Sequence, residues 1–223
     1  MLPASEKLIV ALDVPDAATA LGYVQAIGES VNFYKVGMQL YFAEGNALIA
    51  ELLKRKKKIF LDLKINDIPE TVGKAVASVS KLGVDYLTLF TQPPQINAAR
   101  ETLKACGSSM KLLNVTVLTS DASDFAAVSA RAKLSLEAGA HGLICSGMET
   151  AELRRHYGNE AILVNPGIRP GGAASHDQKR VVTPRMAIEA GATNIVVGRP
   201  ITEAPDAAQA AQAILREIYS VQS

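Results

Sequence analysis

From Leu8 onward, short runs of Val, Ile and Leu alternate with stretches in which apolar residues recur every three to four positions. The runs fit strands buried on both faces, and the periodic stretches fit the helices that cover them, so the pattern predicts βα units around a parallel sheet. Eight strands are expected, at residues 8–12, 33–36, 59–63, 86–90, 111–118, 142–145, 161–164 and 194–197. The first helix starts at Asp16, with Ala18, Leu21, Val24 and Ile27 as its apolar stripe, and others are expected at 45–56, 69–82, 94–106, 125–138, 149–157 and 206–219. A further helix opens at Thr183-Pro184, and the amino terminus is expected to enter the first strand at once. Eight such units in 223 residues argue for a closed (β/α)8 (TIM) barrel, one α/β domain over 1–223. A doubly wound open sheet is the alternative fold, and no Gly-x-Gly-x-x-Gly run follows the first strand to support it.

A barrel of this kind carries its chemistry at the carboxyl ends of its strands. Asp13 follows strand one there, Lys35 lies near the end of strand two, and Asp62, Lys64 and Asp67 cluster around strand three. Thr119 follows strand five, Pro166 strand seven and Arg199 strand eight. With a side-chain period of two, Asp62 and Lys64 point to one face of strand three while Leu61 and Leu63 point to the other. Pro69 suits the first turn of a helix and holds Ile68 extended, which leaves Asp67 on a short turn.

Lys35, Asp62, Lys64 and Asp67 alternate in sign, so each ion would offset the desolvation of its neighbours, and carboxylates on both sides would favour the ammonium form of Lys64. Such an ammonium is an acid placed to donate a proton. The same pattern also fits an ion-pair girdle that only fixes the barrel top, and Asp67 fits a helix cap.

A second constellation is Gly198-Arg199 with the loop at 165–182, which carries Pro166, Gly167, Arg169, Pro170, Gly171, Gly172 and Gln178. Loops after strands seven and eight of a barrel often hold phosphate, through backbone N–H groups and a guanidinium fork. A phosphorylated substrate is the expectation, with ordinary surface roles for Arg199, Arg169 and Gln178 as the alternative.

The formal charge of +1 argues against a polyanion such as nucleic acid, while leaving room for one small anion. Lys54 to Lys58 is the only basic block, expected as a solvated helix end. Cys106 and Cys145 lie in unrelated segments and the three histidines are scattered, so neither a metal site nor a disulfide framework is indicated. No apolar run is long enough to span a bilayer and no signal-peptide pattern opens the chain, so a cytoplasmic protein without membrane contact is expected. No Ser or Cys has a nucleophile-elbow context, which disfavours covalent catalysis.

Asp62-Leu63-Lys64-Ile65-Asn66-Asp67-Ile68-Pro69 resembles the D-x-K-x-x-D-I-P signature of the orotidine 5′-monophosphate decarboxylase family. Leu12-Asp13, Lys35-Val36-Gly37, the run from Val115 to Ser120, the run from Asn165 to Pro170, Asp177-Gln178-Lys179-Arg180 and Val197-Gly198-Arg199-Pro200 agree with it. The one small departure is Asn66, where many members carry His.

The resemblance implies conversion of orotidine 5′-monophosphate to UMP and carbon dioxide without metal or organic cofactor, as the last step of de novo pyrimidine synthesis. By the same resemblance, Lys64 faces C6 of the pyrimidine, Asp62 lies near the departing carboxylate, and Lys35 and Asp67 hold the network. Asp13 and Lys35 then meet the ribose, Thr119 and Pro166 frame the base, and Gln178, Gly198 and Arg199 bind phosphate, with Arg169 nearby. It also implies closure of the glycine-rich loop over the base, and a homodimer in which Asp67, Ile68 and Thr71 reach the neighbouring site. Two competitors remain. One is a magnesium-dependent sugar-phosphate barrel of the same superfamily, which has a metal-binding acid where this chain has Lys35. The other is a nucleotide-binding barrel without catalysis.

Overall fold

Strands buried on both faces need apolar side chains on both, and the runs of Val, Ile and Leu supply them. In the computed structural model, which describes residues 3–117, 124–171 and 182–221, they form β1 (Leu8–Leu12), β2 (Phe33–Gly37), β3 (Lys58–Ile65), β4 (Tyr86–Leu89), β5 (Lys111–Val115), β6 (Gly142–Ile144), β7 (Ile162–Asn165) and β8 (Asn194–Val197). Each pairs with the next in parallel and β8 pairs with β1, closing the barrel. Inside, residues from all eight strands, including Ile9, Phe33, Phe60, Leu113, Ile144 and Val196, pack as one cluster. Tyr86 stacks there with ring centroids 5.0 Å from Phe33 and 6.0 Å from Phe60; each such contact adds about 0.5–1.5 kcal/mol beyond its burial. Outside, Val10, Leu12, Tyr34, Leu61 and Leu87 meet the helices in a second layer.

The helices are α1 (Ala4–Lys7), α2 (Ala17–Ile27), α3 (Met38–Lys54), α4 (Pro69–Ser80), α5 (Pro93–Ala105), α6 (Phe125–Glu137), α7 (Gly147–Tyr157), α8 (Pro184–Glu189), α9 (Arg199–Thr202) and α10 (Ala207–Tyr219). Their starts follow local chemistry. Asp16, Asp124 and Asp206 each cap a helix by accepting a backbone N–H, and Ser146 with Glu149 forms a capping box. Proline occupies the first turn of α4, α5 and α8.

Several boundaries differ from the sequence expectation. The amino terminus forms α1 before the barrel. The Glu6 backbone carbonyl of that helix accepts from Asn194 at 2.7 Å, and the Glu6 carboxylate pairs with Lys58 at 2.7 Å. Asn194 in turn accepts from the Tyr86 hydroxyl at 3.1 Å, so a polar chain ties α1 to the amino-terminal end of the barrel, opposite the carboxyl ends of the strands. Helix α3 already begins at Met38, and Gly45 interrupts it with φ 58° and ψ −147°, so the apolar periodicity marked only its second part. Strand β5 ends at Val115, and the rest of its expected span beyond Val117 lies outside the described residues. Lys54, Arg55 and Lys56 are exposed as expected of a helix end, but Lys57 is buried and donates to the Gly28 carbonyl at 2.9 Å. An amine on a long stem thus serves as a cap for a neighbouring turn.

His141 links β5 and β6 at the bottom of the barrel. Its Nδ1 accepts from the Leu112 N–H at 3.0 Å and its Nε2 faces the Arg100 guanidinium. With Nδ1 accepting, the proton of the neutral ring sits on Nε2, and a second proton on Nδ1 would displace the Leu112 N–H. Burial, then Arg100 and Lys111, push its pKa down from 6.5 to about 4. The unfolded chain therefore takes up a proton at higher pH than the folded one. The stability that His141 contributes is complete above about pH 6.5 and is lost as pH falls toward about 4. Melting curves between pH 7 and 5 are expected to show a falling midpoint, with a shallower slope in His141→Asn; equal slopes in both proteins would contradict this assignment.

Candidate active site

Strand β3 brings the charges to the barrel mouth. Phe60 faces the barrel interior and Leu61 the helices. Regular pairing with β4 then breaks between Leu61 and Ile65, and within this bulge Lys64 adopts φ 49°, a conformation costly for a residue with a side chain. The expected alternation survives the bulge, because Asp62 and Lys64 both line the central cavity while Leu63 packs on the outer layer.

The side chains form a continuous charge chain. Lys64 Nζ donates to Asp62 Oδ1 at 2.8 Å, Lys35 Nζ lies 3.6 Å from Asp62 Oδ2, and the same amine donates to Asp13 Oδ1 at 2.7 Å. The Thr88 hydroxyl donates to Asp62 Oδ1 at 2.9 Å and accepts the Lys64 N–H at 2.9 Å. Burial alone would raise the pKa of the Asp62 carboxyl. Lys35 and Lys64, together with hydrogen bonds from Lys64 and Thr88, outweigh that effect and hold it below the ordinary carboxyl value. Gly37, at the end of β2, lies so close that an added Cβ would sit 2.7 Å from Asp13 Oδ1 and 3.1 Å from Lys35 Nζ. A methyl group there would have to push the end of one of these side chains aside.

These groups open onto a cavity of about 760 Å3, whose opposite wall holds Pro166, Gly167, Arg169, Gly198 and Arg199. Arg169 is almost fully buried, and its backbone N–H donates to the Val182 carbonyl at 3.0 Å, joining residues 169 and 182. Gly167 turns the chain at φ 78°, a conformation that favours glycine. Arg199 opens the short helix α9 directly after β8.

A smaller chamber of about 140 Å3 shares Lys35, Asp62, Lys64 and Pro166 with the main cavity. Phe60, Val115, Val117, Ile144 and Val196 make its other walls largely apolar, with buried Cys145 completing them. The arrangement offers a fixed cation and anion beside a largely apolar recess at one end, and arginine donors at the other.

The structure thus brings Asp13, Lys35, Asp62, Lys64, Pro166, Arg169, Gly198 and Arg199 around one cavity. Thr119 and Gln178 lie outside the described residues. Asp67, Ile68 and Thr71 stand apart from the cavity and are exposed at the start of α4, where the Asp67 carboxylate accepts the Ile68 N–H at 2.6 Å. Within one chain, Asp67 therefore does not join the Lys35, Asp62 and Lys64 network that the spacing suggested. Thr88, Gly37 and the apolar recess were not singled out from the sequence. The available signal for Thr88 was its place two residues after Tyr86, which puts both on the inner face of β4.

A closed (β/α)8 barrel with alternating charges at its carboxyl-terminal mouth and arginines opposite defines a barrel enzyme acting on a small anionic molecule. The chain belongs to the Orotidine 5'-phosphate decarboxylase / HUMPS family, whose model matches residues 6–214. It is 48% identical over 225 residues to an orotidine 5'-phosphate decarboxylase of Rhodopseudomonas palustris, covering 96% of this chain and 94% of that protein. An Afipia carboxidovorans protein of the same name is 47% identical, with 96% and 94% covered. Among solved structures, orotidine 5'-phosphate decarboxylase from Lactobacillus acidophilus superposes with a TM-score of 0.83 at 36% identity, covering 96% of this chain and 99% of that one.

Proposed function

We propose that this chain is an orotidine 5′-phosphate decarboxylase (EC 4.1.1.23), releasing carbon dioxide from orotidine 5′-monophosphate to give UMP, the last step of de novo pyrimidine synthesis. The observation that carries the reading is the Lys35, Asp62 and Lys64 chain beside an apolar recess and across the cavity from Arg199. Breaking the bond between C6 and the carboxylate leaves an electron pair in the ring plane, which the ring π system cannot absorb. Fixed charge must stabilise it. In this reading the Lys64 ammonium faces C6, stabilises the developing pair and delivers a proton from Nζ to C6; the resulting neutral amine regains its proton from solvent. Asp62 holds that ammonium and stands near the departing carboxylate, and the apolar recess suits neutral carbon dioxide better than the anion from which it comes.

Asp13 and Lys35 are assigned to the ribose, Thr119 and Pro166 to the base, and Gln178, Gly198 and Arg199 to the phosphate, with Arg169 beside them. Phosphate is remote from the breaking bond, and its binding energy raises the rate only if it is used to close and dry the site. No metal or organic cofactor enters this scheme. The Lys35 amine lies between the carboxylates of Asp13 and Asp62, where a magnesium-dependent barrel would need its cation. The test is the fall of ultraviolet absorbance when purified protein meets orotidine 5′-monophosphate, with and without EDTA. Undiminished turnover in EDTA supports the proposal. UMP binding without turnover points to a barrel that binds nucleotide only, and turnover that EDTA abolishes contradicts the cofactor-free scheme.

Close packing at Gly37 yields a second expectation. Gly37→Ala has to displace Asp13 or Lys35, and misplacement on this scale is expected to cut kcat/KM by about 10- to 100-fold. Steady-state kinetics beside a melting curve will check it; kinetics within about twofold of the parent would show that the pair adapts freely.

The proposal extends to a homodimer, with each active site completed by Asp67, Ile68 and Thr71 from the neighbouring chain. What supports it is their position, exposed at the start of α4 with Ile68 at 62% exposure, beside a network in which Asp67 has no part. Mixed Lys64→Ala and Asp67→Ala proteins are then expected to regain activity, because a hybrid dimer carries one site with both residues intact. The check is an assay after subunit exchange has been verified, and no recovery would exclude shared sites. One catalytic domain over the whole chain and a cytoplasmic setting belong to the same proposal. No helix among the described residues is long and apolar enough to cross a membrane.

A further inference from the structure

Lys64 has to hold its amine at the cavity from a backbone conformation that a lysine rarely adopts, with φ 49° inside a bulge. Resting on the decarboxylase reading, we propose that Thr88 is a positioning residue that sets both the backbone of Lys64 and the carboxylate of Asp62 through a single hydroxyl. Its Oγ1 accepts the Lys64 N–H at 2.9 Å, a backbone-to-side-chain bond made where the regular register with β4 is broken. The hydroxyl proton is donated to Asp62 Oδ1 at 2.9 Å, the same oxygen that accepts from Lys64 Nζ at 2.8 Å. Main chain and side chain of Lys64 are therefore fixed through groups that Thr88 connects. Thr88 is fully buried, so no solvent competes for these bonds.

A hydroxyl is the smallest group that can accept from an amide and donate to a carboxylate at once, whereas valine has the same shape and can do neither. With valine, the Lys64 N–H loses its acceptor and Asp62 loses a donor, so the strained turn is no longer held in one state. The expected result is a defect in the chemical step rather than in nucleotide binding, because Thr88 does not line the main cavity that carries Arg199.

The experiment compares wild type, Thr88→Val and Thr88→Ser as full-length proteins, by steady-state kinetics with orotidine 5′-monophosphate, by calorimetric binding of UMP and by thermal melting. For Thr88→Val, kcat is expected to fall about 10- to 100-fold, the loss of one charge-assisted and one neutral hydrogen bond, with UMP affinity within about twofold. Thr88→Ser keeps the hydroxyl and is expected to stay within about threefold of wild type in kcat. Wild-type activity with an unchanged Thr88→Val overturns the assignment alone, as does a Thr88→Ser variant that falls as far as Thr88→Val, since packing of the methyl would then be responsible. A wild-type protein that does not decarboxylate overturns the underlying reading and takes the assignment with it. Should Thr88→Val fail to fold, Thr88→Ala replaces it in the same comparison with Thr88→Ser.

Discussion

Lys64→Ala is expected to lower kcat for orotidine 5′-monophosphate by about 10⁴-fold or more, because one amine supplies both the charge that stabilises the carbanion and the proton that ends it. The two contributions reside in one group and are lost together, so no second substitution is needed to reveal the effect. UMP binding is expected to weaken far less, about 10-fold at most, since the proposed phosphate and ribose groups stay in place. Asp62 keeps Lys35 at 3.6 Å and the Thr88 hydroxyl at 2.9 Å, so the variant is expected to remain folded. Absorbance decay and calorimetry will measure the two quantities. A variant within about 10-fold of wild type in kcat would remove Lys64 from the chemistry.

Asp62→Asn is expected to cost about 10²- to 10³-fold in kcat, the size found for loss of one preorganised electrostatic group. Two ammonium groups would lose the counter-ion they share, and the Lys64 amine would lose its charged acceptor at 2.8 Å. Stability carries a second signature. The folded-state pKa of Asp62 lies below 3.8, so the unfolded carboxyl takes up protons first as pH falls. Its stabilising contribution is complete well above pH 3.8 and is lost as pH falls through the folded value. The variant is therefore expected to melt lower than wild type at pH 7 and to lose less on acidification. Melting curves at pH 7 and near pH 3.8 check the sign, and parallel losses in the two proteins would contradict it.

The eight strands were legible because a parallel barrel buries both strand faces and leaves continuous apolar runs. Helix α1 was not, since Ala4–Lys7 is too short for a periodic signal and its role depends on Asn194 and Lys58, which are remote in sequence. The first turns of α3 escaped for a related reason: Gly45 breaks the stripe, so the pattern restarted there. At the site, alternation placed Asp62 and Lys64 together, and the structure agrees despite the bulge. Asp67 shows where spacing stops informing. Its distance along the chain from Lys64 cannot reveal that the intervening residues turn outward, and only the fold shows it exposed beyond the cavity. A lone Thr88 in an apolar strand has no motif to announce it, because its significance lies in two hydrogen bonds formed across the ladder.

The cavity draws its ionic chain from the ends of β1, β2 and β3, and its arginines from segments that follow β7 and β8. Under the proposed roles, recognition of the ligand class and choice of the bond to be broken are encoded in opposite ends of the gene. A lineage descending from such a barrel can rewrite its reaction by changes confined to the early part of the chain while inheriting an intact grip on phosphorylated molecules. Divergence on this scaffold should therefore keep the handle and vary the chemistry.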